Sequence, residues 1–130
     1  MNYLLDTHVW LWAALDPRRL SPAAVRVLED PSTLRFISPI SCWEAAMLKE
    51  RGRLNLPNPA ESWIKDALAV PGVEIAPLTC DIAIHAVELP APFHGDPADR
   101  FLVATARENS MPLITADQRI LAYRPVQTIW

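Results

Sequence analysis

Short, nearly unbroken apolar runs alternate along this chain with longer stretches in which polar residues recur at helical spacing. The runs Asn2 to Leu5, Leu34 to Ile37, Val73 to Ala76, Pro112 to Thr115 and Val126 to Ile129 read as strands covered on both faces. Strands of that kind alternating with helices predict an α/β fold whose central sheet is parallel and has four to five strands. Helix starts are legible because a capping residue followed by proline recurs at Ser21-Pro22, Ser38-Pro39, Asn58-Pro59 and Asp96-Pro97, each reading as N-cap then first helical residue. Asn58 and Asp96 also have a carboxylate three positions on, Glu61 and Asp99, in the spacing of a reciprocal capping box. Further helices are predicted over Thr7 to Leu15, Thr79 to Val87 and Asp117 to Ala122, with Gly52 ending the helix that starts at Pro39.

At 130 residues the chain has one domain's length, and residues 1–130 are read as a single domain. Apolar residues make up 51% and charged residues 21%, which supplies one sizeable core and excludes a disordered chain. No apolar run is long enough to span a bilayer, and Asp6 and His8 interrupt the N-terminal run with no basic residue before Arg18. Cys42 and Cys80 form no C-x-x-C pair, so a reduced, cytoplasmic chain without structural zinc is expected. The net charge of −3 is not the footprint of a nucleic-acid binder, although ten of the twelve cations are arginine and Lys49, Arg51 and Arg53 cluster.

The carboxylates change the picture more than the net charge does. In open parallel sheets ligands bind just beyond the carboxyl ends of the strands. Asp6 ends the first predicted strand, Asp117 follows the Leu113-Ile114-Thr115 strand by two residues, Glu44 lies about a turn into the helix after Ser38, and Asp99 lies in the first turn after Pro97. All four can converge on one edge of the sheet. Gathered carboxylates repel and lose hydration unless a cation compensates, and hard oxygen donors without thiolate or imidazole favour Mg²⁺ or Mn²⁺. Such ions serve phosphate-ester chemistry by activating water and neutralising charge in the transition state. Any one of these acids taken alone is as well explained as a cap or a dipole partner. Asp6 is the exception, because it closes an apolar strand with neither a capping proline nor an evident cationic neighbour.

At Tyr-Leu-Leu-Asp-Thr-His (3–8), Ile-Ser-Pro-Ile-Ser-Cys-Trp-Glu (37–44), Phe-His-Gly-Asp-Pro-Ala-Asp-Arg (93–100) and Leu-Ile-Thr-Ala-Asp (113–117) the chain resembles the PIN-domain ribonucleases, specifically the VapC-like toxins of type II toxin–antitoxin pairs. The resemblance spans nearly the whole chain through the order and spacing of these segments. It implies a three-layer α/β/α domain and a Mg²⁺- or Mn²⁺-dependent endoribonuclease in which Asp6, Glu44, Asp99 and Asp117 bind metal. It also implies an RNA substrate and a cognate antitoxin that blocks the site. In-line attack by activated water would leave a 5′-phosphate and a 3′-hydroxyl.

Around these acids, Asp96 reads as a helix cap, with a water-mediated metal contact as the alternative. Thr115 is either an ordinary strand residue or a hydrogen-bond partner of a carboxylate, and Ser41, three before Glu44, either a surface serine or its orienting partner. Arg100 is a candidate for an RNA phosphate or for a salt bridge with a neighbouring acid, and Lys49, Arg51 and Arg53 for the RNA backbone or for a solvated helix end. His8 and His94 flank the acids and are read as mainly structural, since metal chemistry needs no histidine base. Trp10 and Trp12 point to different faces of one helix, so one is expected buried and the other available to a homo-oligomer contact or an antitoxin peptide. Three alternatives stay open: a receiver-like module, which lacks its lysine here because no lysine follows Lys65; an aspartyl phosphatase, whose second acid is here His8; and a PIN-like chain that binds without cutting, or that processes RNA outside a toxin–antitoxin pair.

Overall fold

A computed structural model describes residues 1–57 and 59–130. In chain order the elements are β1 (Asn2–Leu5), α1 (Thr7–Leu15), a 3₁₀ turn (Pro17–Arg19), α2 (Pro22–Glu29), β2 (Leu34–Ile37), α3 (Pro39–Glu50), α4 (Ala60–Leu68), β3 (Val73–Ile75), α5 (Cys80–Val87), α6 (Pro97–Glu108), β4 (Leu113–Ile114), α7 (Gln118–Leu121) and β5 (Thr128–Ile129). The strands form one all-parallel sheet in the order β3-β2-β1-β4-β5, with helices on both faces.

Alternation along β1 divides the core in two. Leu4, pairing Leu113, points to a face covered by α5, α6 and α7 through Ile82, Leu102, Val103 and Ile120. Tyr3 and Leu5 point to the opposite face, where Val9, Trp10, Ala24, Ala45 and Ile64 pack with Ile37 and Ile114. Trp10 is buried against Trp63, with ring centroids 6.1 Å apart. Among the described residues no helix is long and apolar enough to cross a membrane.

The caps fall where the Ser/Asp-Pro pairs place them. The side chains of Ser21, Ser38 and Asp96 accept backbone N–H groups of Ala24 (3.1 Å), Ile40 (3.2 Å) and Asp99 (3.2 Å). The fourth pair differs: Pro59 itself occupies the cap position and the helix begins at Ala60, while the cap expected of Asn58 lies outside the described residues. Among the described residues the reciprocal half of the Asp96 box does not form, because Asp99 turns to His94, while Glu61 pairs with Lys65 at 2.8 Å. Thr79 and Asp117 lie before their helices as caps instead of opening them. Gly52, at φ +70°, follows the last turn of α3 and donates to Lys49 O at 2.9 Å. The outer strands are shorter than their apolar runs: Ala76, Pro112, Thr115, Val126 and Gln127 flank β3, β4 and β5 without being counted in them. Backbone bonds such as Ala76 N to Ile37 O (2.9 Å) and Thr115 N to Ile129 O (3.2 Å) nevertheless continue the ladder.

Candidate metal centre

Two strand ends and two helix starts meet at the carboxyl edge of β1, β2 and β4. Asp6 stands at the end of β1, where its N–H still donates to Ile114 O at 3.0 Å, so the β1–β4 ladder fixes its backbone. It occupies the cap position of α1 but makes no side-chain capping bond; its Oδ2 instead accepts the Thr115 hydroxyl at 2.6 Å. Thr115 Oγ1 in turn accepts the Asp117 N–H at 3.1 Å, which ties two of the acids to one hydroxyl. Glu44 reaches in from α3, and its Oε1 accepts the Thr7 hydroxyl at 2.5 Å. Thr7 and Ser41 are fully buried and their hydroxyls lie 2.7 Å apart; with Thr7 donating to Glu44, Ser41 is left to donate to Thr7. Asp99, on the first turn of α6, has its Oδ2 2.6 Å from His94 Nε2.

The four acids line one pocket of about 250 Å³, with His8, Asp96 and Arg119 on its walls. Asp6, Glu44 and Asp99 share a pattern: one carboxylate oxygen is pinned by the protein and the other has no hydrogen-bond partner among the described residues. Asp117 caps α7 through the Arg119 N–H (2.8 Å), and the Arg119 guanidinium bridges Asp117 Oδ2 (3.2 Å) and Asp99 Oδ2 (3.6 Å). Burial raises the pKa of Asp6, against the Thr115 bond, and Asp99 and Asp117 push it further in the same direction. Burial also raises Glu44, against the Thr7 bond, with Asp6 adding to the rise. Asp99 is raised by burial, with Asp96 and Asp117 adding repulsion and the His94 bond opposing. Burial pushes Asp117 up as well, but its bonds to Arg119 outweigh that and hold it below the ordinary value.

This donor set fits a hard divalent cation. Three oxygens are left without partners among the described residues, buried Asp6 and half-buried Glu44 and Asp99 all resist ionising next to one another, and the pocket already draws a guanidinium and an imidazole onto its acids. Among the described residues no three acidic, histidine or cysteine side chains stand close enough to enclose an ion on their own. That matches Mg²⁺, which takes one or two carboxylates and completes its shell with water and substrate phosphate.

Of the flanking candidates, Asp96 lines the pocket and caps α6, while Thr115 and Ser41 sit in the hydrogen-bond chains behind Asp6 and Glu44. Arg100 is not on the pocket wall. Its guanidinium donates to the carbonyls of Ala86 (2.7 Å), Val87 (3.2 Å), Phe93 (3.3 Å) and His94 (3.1 Å), so it clamps the α5–α6 connection instead of facing RNA or pairing with an acid. Lys49, Arg51 and Arg53 also stand off the pocket; Arg51 and Arg53 are exposed just beyond α3, and Arg53 lines a neighbouring cavity. Two residues, Thr7 and Arg119, and the contact of His94 with Asp99 escaped the sequence reading. The available signals are the place of Thr7 directly after Asp6 and that of Arg119 two residues after Asp117, in the turn Asp117 caps.

The PIN domain family model matches residues 3–124. The chain belongs to the PIN-domain family. Ribonuclease VapC22 of Mycobacterium tuberculosis is 40% identical to it over 130 residues, covering 98% of this chain and 97% of that protein. Among solved structures, the VapBC2 complex of Rickettsia felis bound to a promoter DNA fragment gives a TM-score of 0.72 at 16% identity, covering 99% of this chain and 98% of that one. VapC20 of M. tuberculosis, a Sarcin-Ricin loop cleaving toxin, gives 0.62 at 18% identity, covering 96% and 98%. These likenesses show the PIN fold. With the family shown, the receiver-like and phosphatase readings fall away.

Proposed function

We propose that this PIN-domain chain, acting as a single catalytic domain over residues 1–130, is the toxin of a type II toxin–antitoxin pair. In this reading it cleaves RNA phosphodiesters in the cytoplasm, and a cognate antitoxin holds it in check. The observation that carries the proposal is the shared pocket of Asp6, Glu44, Asp99 and Asp117 at the carboxyl edge of the sheet, with one oxygen of each of the first three left without a protein partner. The 40% identity to a named VapC ribonuclease over nearly the full length supports it.

Asp6, Glu44, Asp99 and Asp117 would surround Mg²⁺ or Mn²⁺, one or two of them binding it directly and the others through water, and the ion when bound activates water and neutralises charge on the phosphate. The protein supplies positioning. Thr115 holds Asp6 and Thr7 holds Glu44, so that both carboxylates meet a cation with little reorganisation. The His94 and Arg119 contacts with Asp99 orient that carboxylate and temper the local negative charge against which a phosphate must approach. Asp96 keeps the first turn of α6 in place and lies within the pocket, where a water-mediated role is open to it.

Purified protein should cut single-stranded RNA in Mg²⁺ or Mn²⁺, leaving 5′-phosphate ends, and should stop in EDTA. Cleavage that continues in EDTA, or products ending in a cyclic phosphate, would overturn the mechanism. The toxin role is tested separately by co-expression: the protein encoded beside this gene should relieve growth arrest caused by this chain.

A further inference from the structure

A polyanionic substrate must approach a pocket walled by four carboxylates on a chain of net charge −3, so cations nearby have to receive it. Among the described residues, Arg18, Lys65 and Arg119 carry carboxylate pairs and Arg100 is committed to carbonyls. Arg19 and Arg53, which make no ion pair among the described residues, line one cavity of about 350 Å³ with Trp12, Leu48 and His8. His8 also walls the carboxylate pocket, so the two concavities adjoin. Arg19 is held with its Cζ 4.4 Å from the Trp12 ring centroid, and Trp12 is itself braced by Trp130 at 6.0 Å. The Trp12 ring therefore favours one placement of this exposed cation.

We infer that this cavity is a nucleotide subsite of the substrate strand, taking a phosphate next to the scissile one on Arg19 and Arg53 and a base against the Trp12/Arg19 wall. Guanidinium groups match phosphate oxygens in pairs, and unstacked bases lie on aromatic rings or guanidinium planes. Asp16 and four leucines, Leu11, Leu15, Leu48 and Leu54, complete the lining; Arg18 engages Asp16 at 3.3 Å, which leaves Arg19 and Arg53 to meet a phosphate and makes the cavity too polar for a wholly apolar peptide. The inference rests on the ribonuclease reading and separates Arg53 from Lys49 and Arg51, which line neither concavity.

The test is binding of a short fluorescein-labelled single-stranded RNA of mixed sequence, followed by anisotropy across a salt series in EDTA, with cleavage in Mg²⁺ measured in parallel. Arg19→Gln with Arg53→Gln should weaken binding roughly tenfold and lower the slope of log K against log salt by about 0.7, the one phosphate this subsite takes on a single strand. Arg107→Gln with Arg124→Gln, exposed cations away from the cavity, should leave the slope unchanged. Because Arg19 packs on Trp12, Arg53→Glu alone, at an exposed position, serves as a second variant and should weaken binding at an unchanged melting temperature. The inference is overturned if the cavity variants keep the wild-type slope, or if the distant pair lowers it equally. It is also overturned if the cavity variants bind RNA normally and lose only the grip on the partner protein. If the wild-type chain cuts RNA without measurable binding, the subsite falls and the nuclease reading stands; if it neither binds nor cuts, both fall.

Discussion

Replacing Thr7 by valine removes one hydroxyl without changing the shape of the side chain. Thr7 is fully buried, donates to Glu44 Oε1 at 2.5 Å and lies 2.7 Å from the buried Ser41 hydroxyl. A hydrogen bond to a charged group contributes about 1.5–3 kcal/mol, and a buried hydroxyl left without a partner costs about 1–3 kcal/mol. Thr7→Val breaks the first and creates the second, so a loss of about 3 kcal/mol is expected, equivalent to roughly 10 °C in melting temperature for a chain of this size. Ser41→Ala leaves the Thr7 bond to Glu44 intact and should cost only about 1 kcal/mol. In the double variant no hydroxyl is orphaned, so its cost should fall short of the sum of the two single changes. Urea denaturation gives the stabilities, and Mn²⁺ titration calorimetry reads the other consequence: weaker metal binding in Thr7→Val, restored in Thr7→Ser. A loss under about 0.5 kcal/mol, or serine no better than valine in metal affinity, would refute the reasoning.

Other outcomes follow from the same geometry. Asp6→Asn removes a buried charge while leaving an oxygen for Thr115, so RNA cleavage should fall at least about 10²-fold with the melting temperature near wild type; retained cleavage contradicts a role for Asp6. Asp6, Glu44 and Asp99 are all raised above ordinary values of 3.8, 4.5 and 3.8, so the folded chain holds their protons more tightly than the unfolded chain. Their contribution to stability is full below those ordinary values and is lost as pH rises through the folded ones. Thermal melts should therefore show stabilisation by Mg²⁺ that is largest near neutrality and disappears towards about pH 4; an increment independent of pH contradicts this. Arg100→Ala frees four carbonyls and should cost about 3 kcal/mol in urea denaturation while slowing cleavage far less than Asp6→Asn does.

Much of this was legible in the sequence because the signals were local. A strand closed by Asp6, a serine or aspartate before proline, and the shift from an unbroken apolar run to helical spacing each lie within a few residues. β1 and β2 match their apolar runs, whereas the outer strands stop short, β4 beginning after Pro112, which has no N–H to offer the ladder. The contacts that shape the pocket span the chain: Thr115 and Asp6 are 109 positions apart, and Thr7 and Glu44 are 37. Sequence spacing placed the acids at one edge and left open which hydroxyl meets which carboxylate. Arg100 shows the opposite failure, since an arginine next to a site acid looks like a phosphate ligand until the α5–α6 connection is seen to bring four carbonyls onto it. The charges of Lys49, Arg51 and Arg53 likewise said nothing of which one faces a cavity.

The most direct measurement is anomalous diffraction from crystals of the full chain grown with Mn²⁺. A manganese peak in the pocket of Asp6, Glu44, Asp99 and Asp117, with an Asp6 oxygen about 2.1–2.2 Å from it, is the expected result, the distance being that of a hard six-coordinate divalent ion. A chain that cuts RNA in the same Mn²⁺ concentration yet shows no manganese against Asp6 would contradict the assignment of this pocket as the catalytic centre.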